Sequence, residues 1–270
     1  MDSGNSGDSG DSGDSGTTAR TGSAAPRRVV AVTGAGGALG GAISSRLAGE
    51  PATDLVLSDV SAASLEATVA GLPEGAGAVE TVLADVSEFD QVEAVVARAV
   101  DRFDRLDVLI SNAGVLSPNG RIHNLATEDW ERAFRVNLLG AVNGIRAAVP
   151  VMRRQQSGSI VLTASVSGLT AWSHAAPYCA TKAAVIQLAK VAAIEYARDG
   201  IRVNCVCPGT FGSAIHDGLP PEALDAIAAR HPLGLGAADD LAGAYSYLAS
   251  ADSRWTTGSA LVVDGGYSAP

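Results

Sequence analysis

The chain has 270 residues and a formal net charge of −10, with 47% hydrophobic and 18% charged residues. This length accommodates one α/β domain with a full core or two small domains, and the composition is that of an ordinary globular protein. The acidic balance argues against nucleic acid as a partner. Because no run of about 18 apolar residues occurs, we expect no membrane span. The N-terminus lacks a positive segment followed by an apolar core, so we expect no signal peptide.

Residues 1–26 differ from the rest of the chain, because Asp, Ser and Gly alternate there in a near-triplet repeat with little to bury. Such a composition predicts a disordered tail. The remainder, residues 27–270, is predicted to form a single domain.

The strands and helices predicted after the tail alternate along the chain. Strands are predicted at 29–33, 54–58, 79–84, 108–110, 159–163, 201–207 and 260–263. Helices are predicted at 39–48, after the caps Ser61 and Ser87, from Thr127 to about 152, through Tyr178 to Gly200, and at 239–250. Repeated β-α-β units predict a Rossmann-type, doubly wound α/β domain, with a seven-stranded parallel sheet and helices on both faces.

A glycine-rich turn follows the first predicted strand, where residues 33–40 read T-G-A-G-G-A-L-G. Such a turn lets backbone N–H groups approach a pyrophosphate at a helix N-terminus. Asp59 closes the second strand, about where an acidic residue can accept hydrogen bonds from an adenosine ribose. The alternatives are an ordinary glycine turn and a helix N-cap at Asp59. Asp85 and Val86 end the third strand, and residues 112–114 end the fourth, at the sheet edge where open α/β sheets bind ligands.

A serine, a tyrosine and a lysine follow the fifth predicted strand. Tyr178 and Lys182 are four residues apart, which places them on one face of a helix. An ammonium that close lowers the pKa of a tyrosine from about 10 toward neutral, so the phenol can exchange a proton with a substrate oxygen. Ser165 can hydrogen-bond the same oxygen. The alternative is that Tyr178 and Lys182 are ordinary helix residues.

The three cysteines, Cys179, Cys205 and Cys207, are an odd number without metal-ligand spacing. They predict reduced, mostly buried thiols in a cytoplasmic protein. The histidines also lack paired ligand spacing, so no metal site is predicted. These histidines are His123, His174, His216 and His231.

These motifs together resemble the short-chain dehydrogenase/reductase family over about residues 27–270. The family's TGxxxGxG resembles residues 33–40, its NNAG resembles residues 111–114, and its YxxxK resembles Tyr178 and Lys182. The resemblance implies catalytic roles for Asn137, Ser165, Tyr178 and Lys182, with Asn137 supporting a proton-relay water. It also implies NAD or NADP as cofactor and a homotetramer. The cofactor-binding residues, including those from the turn and strand ends above, are Gly34, Gly36, Leu39, Gly40, Asp59, Asp85, Val86, Asn112, Ala113, Gly114, Tyr178, Lys182, Pro208, Gly209, Phe211 and Ser213.

Three positions depart from the family pattern. Ala38 replaces a glycine of the cofactor motif, Ser111 replaces an asparagine, and Ser213 stands where a threonine often contacts the nicotinamide carboxamide. Gly36 and Gly37 can offset the methyl group of Ala38, and a serine hydroxyl can make the bond of a threonine.

The predicted function is interconversion of a secondary alcohol and a ketone by hydride transfer. Asp59 favours NAD over NADP, because it repels a 2′-phosphate and no Arg or Lys is near it in the sequence. Residues 210–236 are predicted to form a substrate lid with a short helix at 222–230. Trp172, Phe211 and Leu219 would line a site for a neutral, hydrophobic substrate. The alternatives are a reductase of carrier-protein or coenzyme A thioesters and a non-catalytic dinucleotide-binding regulator.

Overall fold

The structure is a computed structural model that describes residues 27–212 and 221–269. Its seven strands are all parallel and form one sheet in the order β3-β2-β1-β4-β5-β6-β7. The predicted fold class is therefore confirmed. The strands are β1 (Arg28–Thr33), β2 (Thr53–Asp59), β3 (Val79–Leu83), β4 (Val108–Ser111), β5 (Gly158–Thr163), β6 (Ile201–Pro208) and β7 (Ala260–Val263).

Helices connect the strands and cover both faces of the sheet. They are α1 (Ala38–Ala48), α2 (Ala62–Ala70), α3 (Phe89–Phe103), α4 (Thr127–Ala133), α5 (Gly140–Gln155), α6 (Ala176–Tyr196), α7 (Pro221–Ala228) and α8 (Ala238–Ala249). Helices α3, α5 and α6 contribute to the core on one face, and α1 and α8 to the core on the other. The four inner residues of β1 are apolar because both faces of the strand are covered: Val29 and Ala31 are buried in the first core, and Val30 and Val32 in the second.

The local signals at the helix ends are partly confirmed. Ser61 caps α2, because its side chain accepts a hydrogen bond from the backbone N–H of Ser64. Gly200 has φ 73° and ends a 3₁₀ turn after α6, as a C′ glycine does. The cap predicted at Ser87 is wrong: α3 begins one residue later, after Glu88, and neither residue's side chain caps it. The backbone N–H of Ser87 instead donates to Asp85.

The helix predicted from Thr127 to about 152 is divided in the structure. A π-helical turn, Phe134–Leu139, separates α4 from α5. A π turn holds an extra residue relative to an α-helix, and periodicity alone does not reveal it because the apolar positions continue on both sides. This turn contains Asn137, so the interruption lies at a predicted site residue.

The strand order places a crevice at the carboxyl ends of the central strands. The chain moves outward from β1 to β2 and β3, and then crosses back to β4 on the other side of β1. Open α/β sheets bind ligands at this switch point. The glycine turn, the end of β4 and the end of β5 all meet there, so the predicted site residues converge on one edge of the sheet.

Several expectations concern absences or fall outside the described ranges. Within residues 27–212 and 221–269, no helix has the length and apolar character needed to cross a membrane. The same residues hold no cluster of three His, Cys, Asp or Glu side chains that fits a metal ion. The three cysteines are free, with Cys205 and Cys207 buried. The tail at 1–26 and the lid residues Ser213 and Leu219 lie outside the described residues.

Candidate active site

The glycine turn leads into α1 and leaves the N-terminus of that helix open to a ligand. Gly37 is the N-cap and offers no side chain, and the first turn of α1 has no acidic residue. The first N–H groups of the helix are therefore available to an anion, which the helix dipole also favours. Gly34 has φ +66°, and a Cβ at Gly40 would collide with the carbonyl oxygen of Gly34. This packing requires glycine at both positions, and it fits the pyrophosphate of a dinucleotide.

Ala38, the departure from the family's glycine pattern, does not obstruct the turn. It is exposed at the first position of α1, so its methyl group faces away from the packed side of the turn. A Cβ at Gly37 would meet nothing closer than a carbonyl oxygen at 3.6 Å. The turn therefore retains space beside Ala38 for a phosphate group.

Asp59 lies at the end of β2 and contacts the glycine turn directly. Its Oδ2 accepts a hydrogen bond from the Gly36 N–H at 3.0 Å, and its Oδ1 accepts from the Ser61 N–H at 3.1 Å. It is therefore a turn-fixing carboxylate as well as a candidate ribose ligand. A cavity of about 460 Å³ beside the turn is lined by residues that include Gly36, Ser64 and Asp239, and no Lys or Arg is among its lining residues.

The end of β4 is fastened to the end of β1. Asn112 donates its side-chain amide to the carbonyl oxygens of Thr33 and Gly34, at 3.2 and 3.1 Å. The hydroxyl of Thr33 accepts from the backbone N–H groups of Asn112 and Ala113. These bonds occupy the amide donor of Asn112, so its role in the structure is to hold the two strand ends together and shape the floor of the crevice. Gly114 follows them toward the catalytic residues.

The pair Asp85 and Val86 follows the end of β3 at the outer part of the crevice. Val86 is buried against Gly140 at the start of α5, and its carbonyl oxygen accepts from the side chain of Asn143 at 2.9 Å. Asp85 is half-buried and accepts from the Ser87 N–H. The arrangement fixes this strand end, where the family resemblance implies contact with adenine.

Asn137 lies in the π-helical turn and uses its side chain to fix the loop after β4. Its Oδ1 accepts from the Val115 N–H at 2.7 Å, and its Nδ2 donates to the Val115 carbonyl at 2.9 Å and to Thr181 Oγ1 at 3.2 Å. The residue is 3% exposed. Both donors of the amide are therefore engaged within the protein, and the side chain acts as a bridge between the π turn, this loop and α6.

Ser165 and Tyr178 form the reactive part of the site. Ser165 follows β5, is 4% exposed, and accepts a hydrogen bond from the Ser167 N–H at 3.1 Å. That bond uses the Ser165 oxygen as acceptor, so its hydroxyl proton can be donated, and the side chain hydrogen-bonds the Tyr178 phenol. Burial raises the pKa of the Tyr178 phenol, while the hydroxyl of Ser165 opposes the shift and the neighbouring Cys179 adds to it. The predicted lowering of this pKa is therefore wrong for the chain without cofactor.

The position of Lys182 explains why it does not lower the tyrosine pKa. Its Nζ lies 5.6 Å from the centre of the Tyr178 ring and donates to the Thr163 carbonyl oxygen at 2.8 Å. The side chain is 3% exposed, and this burial lowers the pKa of Lys182 to about 8, with Cys207 opposing the shift. Gly114 lies beside both Lys182 and Asn137. A Cβ built on Gly114 would be 3.3 Å from Lys182 Nζ and 3.2 Å from Asn137 Oδ1.

The buried ammonium predicts a pH-dependent cost to stability. Below pH 8 the folded chain keeps Lys182 charged, and the burial of that charge lowers the free energy of unfolding. This cost falls as the pH rises from about 8, the pKa of Lys182 in the folded chain, toward 10.5, the ordinary pKa of a lysine. The reason is that the folded state loses its proton at a lower pH than the unfolded state. We expect Lys182→Met to raise the free energy of unfolding at pH 7 by on the order of 2 kcal/mol, after the lost hydrogen bond is counted. The gain should shrink toward pH 10.

Urea unfolding of the cofactor-free chain at pH 7 and pH 10 measures this difference. Lys190→Met is the matched control, because Lys190 is exposed on the same helix. A Lys182→Met chain that is less stable than wild type at both pH values would contradict the expected cost.

The end of β6 joins the site to the C-terminal segment. Gly209 packs against Asp264, so closely that a Cβ would collide with its backbone, and its N–H donates to the Val263 carbonyl. The Thr210 N–H donates to Nε2 of the buried His231 at 3.2 Å, and His231 Nδ1 lies 2.9 Å from the Ile227 carbonyl oxygen. Phe211 pairs with Gly236, and its side chain packs on the core between the sheet and α8. The described parts of the predicted lid are thus anchored by His231.

Sequence reasoning missed three residues that support the site. Thr163 holds Lys182 through its carbonyl, Thr181 binds Asn137, and His231 fixes the segment after β6. Thr163 had a usable signal, since it is the last residue of a strand whose end carries Ser165. The contacts of Thr181 and His231 join elements distant in sequence and left no local pattern.

Comparison with known proteins agrees with this geometry. A family sequence model described as Enoyl-(Acyl carrier protein) reductase matches residues 34–268. The cis-4-hydroxycyclohexanecarboxylate dehydrogenase of Sinomonas cyclohexanicum is 36% identical over 249 residues, covering 92% of this chain and 99% of that protein. The 3-oxoacyl-(acyl-carrier-protein) reductase FabG of Thermotoga maritima is 35% identical over 243 residues, which cover 88% of this chain and 97% of that protein. The crystal structure of levodione reductase is 34% identical in sequence and matches with a TM-score of 0.84. The match covers 90% of this chain and 98% of that chain.

The chain therefore belongs to the short-chain dehydrogenase/reductase family. Members of this family bind a nicotinamide dinucleotide, and the relatives are dehydrogenases and reductases of hydroxyl and oxo groups. The chain is accordingly an oxidoreductase of secondary alcohols and ketones.

Proposed function

We propose that the chain interconverts a secondary alcohol and a ketone with NAD(H) as cofactor. The observation that carries this proposal is the placement of Ser165, Tyr178 and Lys182 together at the carboxyl end of β5, beside the crevice of the glycine turn. The relative from Sinomonas cyclohexanicum is named for a secondary alcohol on a ring, which supports the same reaction class.

Each side chain has a distinct part in the proposed reaction. The raised pKa of Tyr178 keeps its phenol protonated near neutral pH, so it is ready to donate a proton to a ketone oxygen. Ser165 donates its hydroxyl proton to the same oxygen and orients it. Lys182, held by Thr163, supplies positive charge that stabilises the phenolate after transfer. The bound nicotinamide supplies the hydride.

The choice of NAD rests on Asp59. Its carboxylate lies at the glycine turn, where it accepts hydrogen bonds from the Gly36 and Ser61 N–H groups. The nearest cation in sequence, Arg46, lies in α1, and its side chain is 3.7 Å from that of Glu50, which follows the end of this helix. A 2′-phosphate would meet repulsion here without an attractive partner.

We also propose a homotetramer of catalytic domains spanning 27–270, located in the cytoplasm. Family membership supports the assembly, and the three free thiols are consistent with a reducing compartment. Light scattering on the purified chain tests the assembly.

A second candidate is a reductase of carrier-protein or coenzyme A thioesters. The relative from Thermotoga maritima and the description of the matching family model favour it. Helix α7 opposes it, because Glu222 and Asp225 are exposed there and an acidic carrier would be repelled. A non-catalytic regulator has no support from the site, which retains every proposed reactive group.

The test is an assay of the purified chain with NADH against small cyclic and linear ketones and against acetoacetyl-coenzyme A, with absorbance of the reduced nicotinamide as readout. We expect the ketones to give the higher kcat/KM. Preference for the thioester would establish the second candidate, and turnover of none would overturn the proposed function.

A further inference from the structure

A group of aromatic side chains, which we call the aromatic wall, lies beside the proposed catalytic tyrosine and consists of Trp172, Tyr178 and Tyr267. The ring centre of Trp172 is 6.4 Å from that of Tyr178 and 6.2 Å from that of Tyr267, and it meets Tyr267 edge to face. The indole thus lies between the reactive phenol and the C-terminal segment. The rings supply an apolar surface for the body of a substrate.

Two polar atoms of the aromatic wall are buried without hydrogen-bond partners in the described part of the chain. They are Nε1 of Trp172 and the hydroxyl oxygen of Tyr267. Tyr267 is only 9% exposed. Leaving a buried donor unpaired costs free energy, and native proteins rarely do so. Two of the five such atoms in the described residues lie on adjacent rings, and one of these rings neighbours the reactive tyrosine.

The fully buried Tyr245 shows that a partner can be provided inside the protein. Its hydroxyl bonds Thr163 at 2.9 Å. The neighbouring carboxylate, Asp264, accepts from Gly266 and Ser268 and makes no hydrogen bond with the Tyr267 hydroxyl. The unpaired hydroxyl of Tyr267 thus contrasts with the paired hydroxyl of Tyr245.

The packing around Tyr267 holds its ring in place and adds positive charge. The ring stacks on His231 with centres 4.7 Å apart, and the Arg230 guanidinium carbon lies 4.7 Å from the ring centre. His231 is itself fixed by Thr210 and Ile227. Because the ring cannot turn without breaking these contacts, its hydroxyl is a preorganised donor.

We propose that the substrate carries a second acceptor oxygen, of a carbonyl or a carboxylate, that the Trp172 indole N–H and the Tyr267 hydroxyl bind. The inference rests on the proposed function, since Tyr178 marks where the reacting oxygen lies. Trp172 neighbours both Tyr178 and Tyr267, so the second oxygen lies on the Trp172 and Tyr267 side of the reacting carbon. The reduction itself is unchanged: hydride and the Tyr178 proton convert the ketone to an alcohol, and the second oxygen only accepts hydrogen bonds.

This substrate class differs from the neutral, hydrophobic one predicted from the sequence. Arg230 next to Tyr267 favours an anionic oxygen, as in a ring oxo-acid, whereas the two neutral donors alone suit a diketone. The oxo-acid and the diketone both carry the acceptor oxygen, and their values of kcat/KM show which of them the site prefers.

The test compares three ketones that differ only in the group opposite the reacting carbonyl: 4-oxocyclohexanecarboxylate, 1,4-cyclohexanedione and 4-methylcyclohexanone. Tyr267→Phe removes the hydroxyl and keeps the ring contacts. We expect it to lower kcat/KM about tenfold for the first two ketones, mainly through KM, and to leave the methyl ketone within twofold. Trp172→Phe should act in the same direction. Tyr247→Phe is the matched control, expected to change none of the three.

For wild type, comparing kcat/KM for 4-oxocyclohexanecarboxylate and 1,4-cyclohexanedione shows whether the site prefers a carboxylate or a carbonyl oxygen. Equal losses for all three ketones in Tyr267→Phe would mean a purely structural role for Tyr267 and would overturn the inference. A wild-type preference for the methyl ketone would overturn it as well, while leaving the proposed function intact because the ketone still reacts.

A binding measurement separates the two proposals when turnover is absent. Calorimetric titration of cyclohexanecarboxylate, which cannot react, into the chain saturated with NAD should give a Kd about tenfold weaker in Tyr267→Phe than in wild type. If no ketone reacts but this difference appears, the proposed function fails and the second-oxygen site stands. If the two Kd values are equal, the site is disproved whatever the turnover.

Discussion

Replacing Tyr178 by Phe should lower kcat for ketone reduction about a thousandfold or more, within the range that general acid–base groups contribute. The substitution removes the proton that the raised pKa of the phenol retains at neutral pH. It keeps the ring and its contact with Trp172, 6.4 Å away between ring centres. Fluorescence titration with NADH should show a Kd within a fewfold of wild type, because the glycine turn is untouched.

Tyr196→Phe is the control for this experiment, since Tyr196 lies on the same helix at the far end from the site. It should retain wild-type kinetics. A Tyr178→Phe enzyme with near-normal kcat would show that another group donates the proton. A large loss of NADH affinity in that variant would show instead that the phenol mainly holds the cofactor.

The second large effect should follow from removing the charge of Asp59. We expect wild type to prefer NAD, and Asp59→Ala to reduce the ratio of kcat/KM for NAD over NADP about a hundredfold, equivalent to about 2.7 kcal/mol. The carboxylate repels a 2′-phosphate, and the Ala variant abolishes this repulsion. The variant should also lose some affinity for both cofactors, because the Gly36 and Ser61 N–H groups lose their acceptor.

Asp59→Asn separates charge from turn geometry, since the amide oxygen can still accept from Gly36. It should therefore shift the ratio in the same direction with a smaller overall loss. Asp101→Ala, on the exposed face of α3, is the control for net charge. Equal use of both cofactors by wild type, or an unchanged ratio in both Asp59 variants, would disprove the role given to this carboxylate.

The fold was predictable because its signals are local and repeated. Each strand of the sheet is a short apolar run between turn residues, and β-α-β units lead to a parallel sheet. The rule that ligands bind at carboxyl strand ends then brought Asp59, Asn112 and Ser165 to one edge before any distance was known. The structure places all three there.

What the sequence did not predict depends on contacts between distant elements. The pKa of Tyr178 was predicted from its helical spacing to Lys182, but the direction of the shift follows from burial and from the bond that turns Lys182 toward Thr163. The bridge from Asn137 to Val115 and the link from His231 to Thr210 likewise join segments 22 and 21 residues apart. The two unpaired atoms of the aromatic wall emerge only from three-dimensional packing.

The π-helical turn makes the length of the segment Phe134–Leu139 as important as its composition. Deleting a single codon there would remove the extra residue and restore an uninterrupted α-helix, in which the residues between the deletion and the end of the turn are rotated by up to about 100° about the helix axis. Because α4 and α5 keep their register, the rotation would fall on the turn itself, and the Asn137 amide would no longer face Val115 and Thr181. Point substitutions on the outer surface of this turn leave the number of its residues unchanged. We therefore expect insertions and deletions in this turn to be tolerated far less than substitutions.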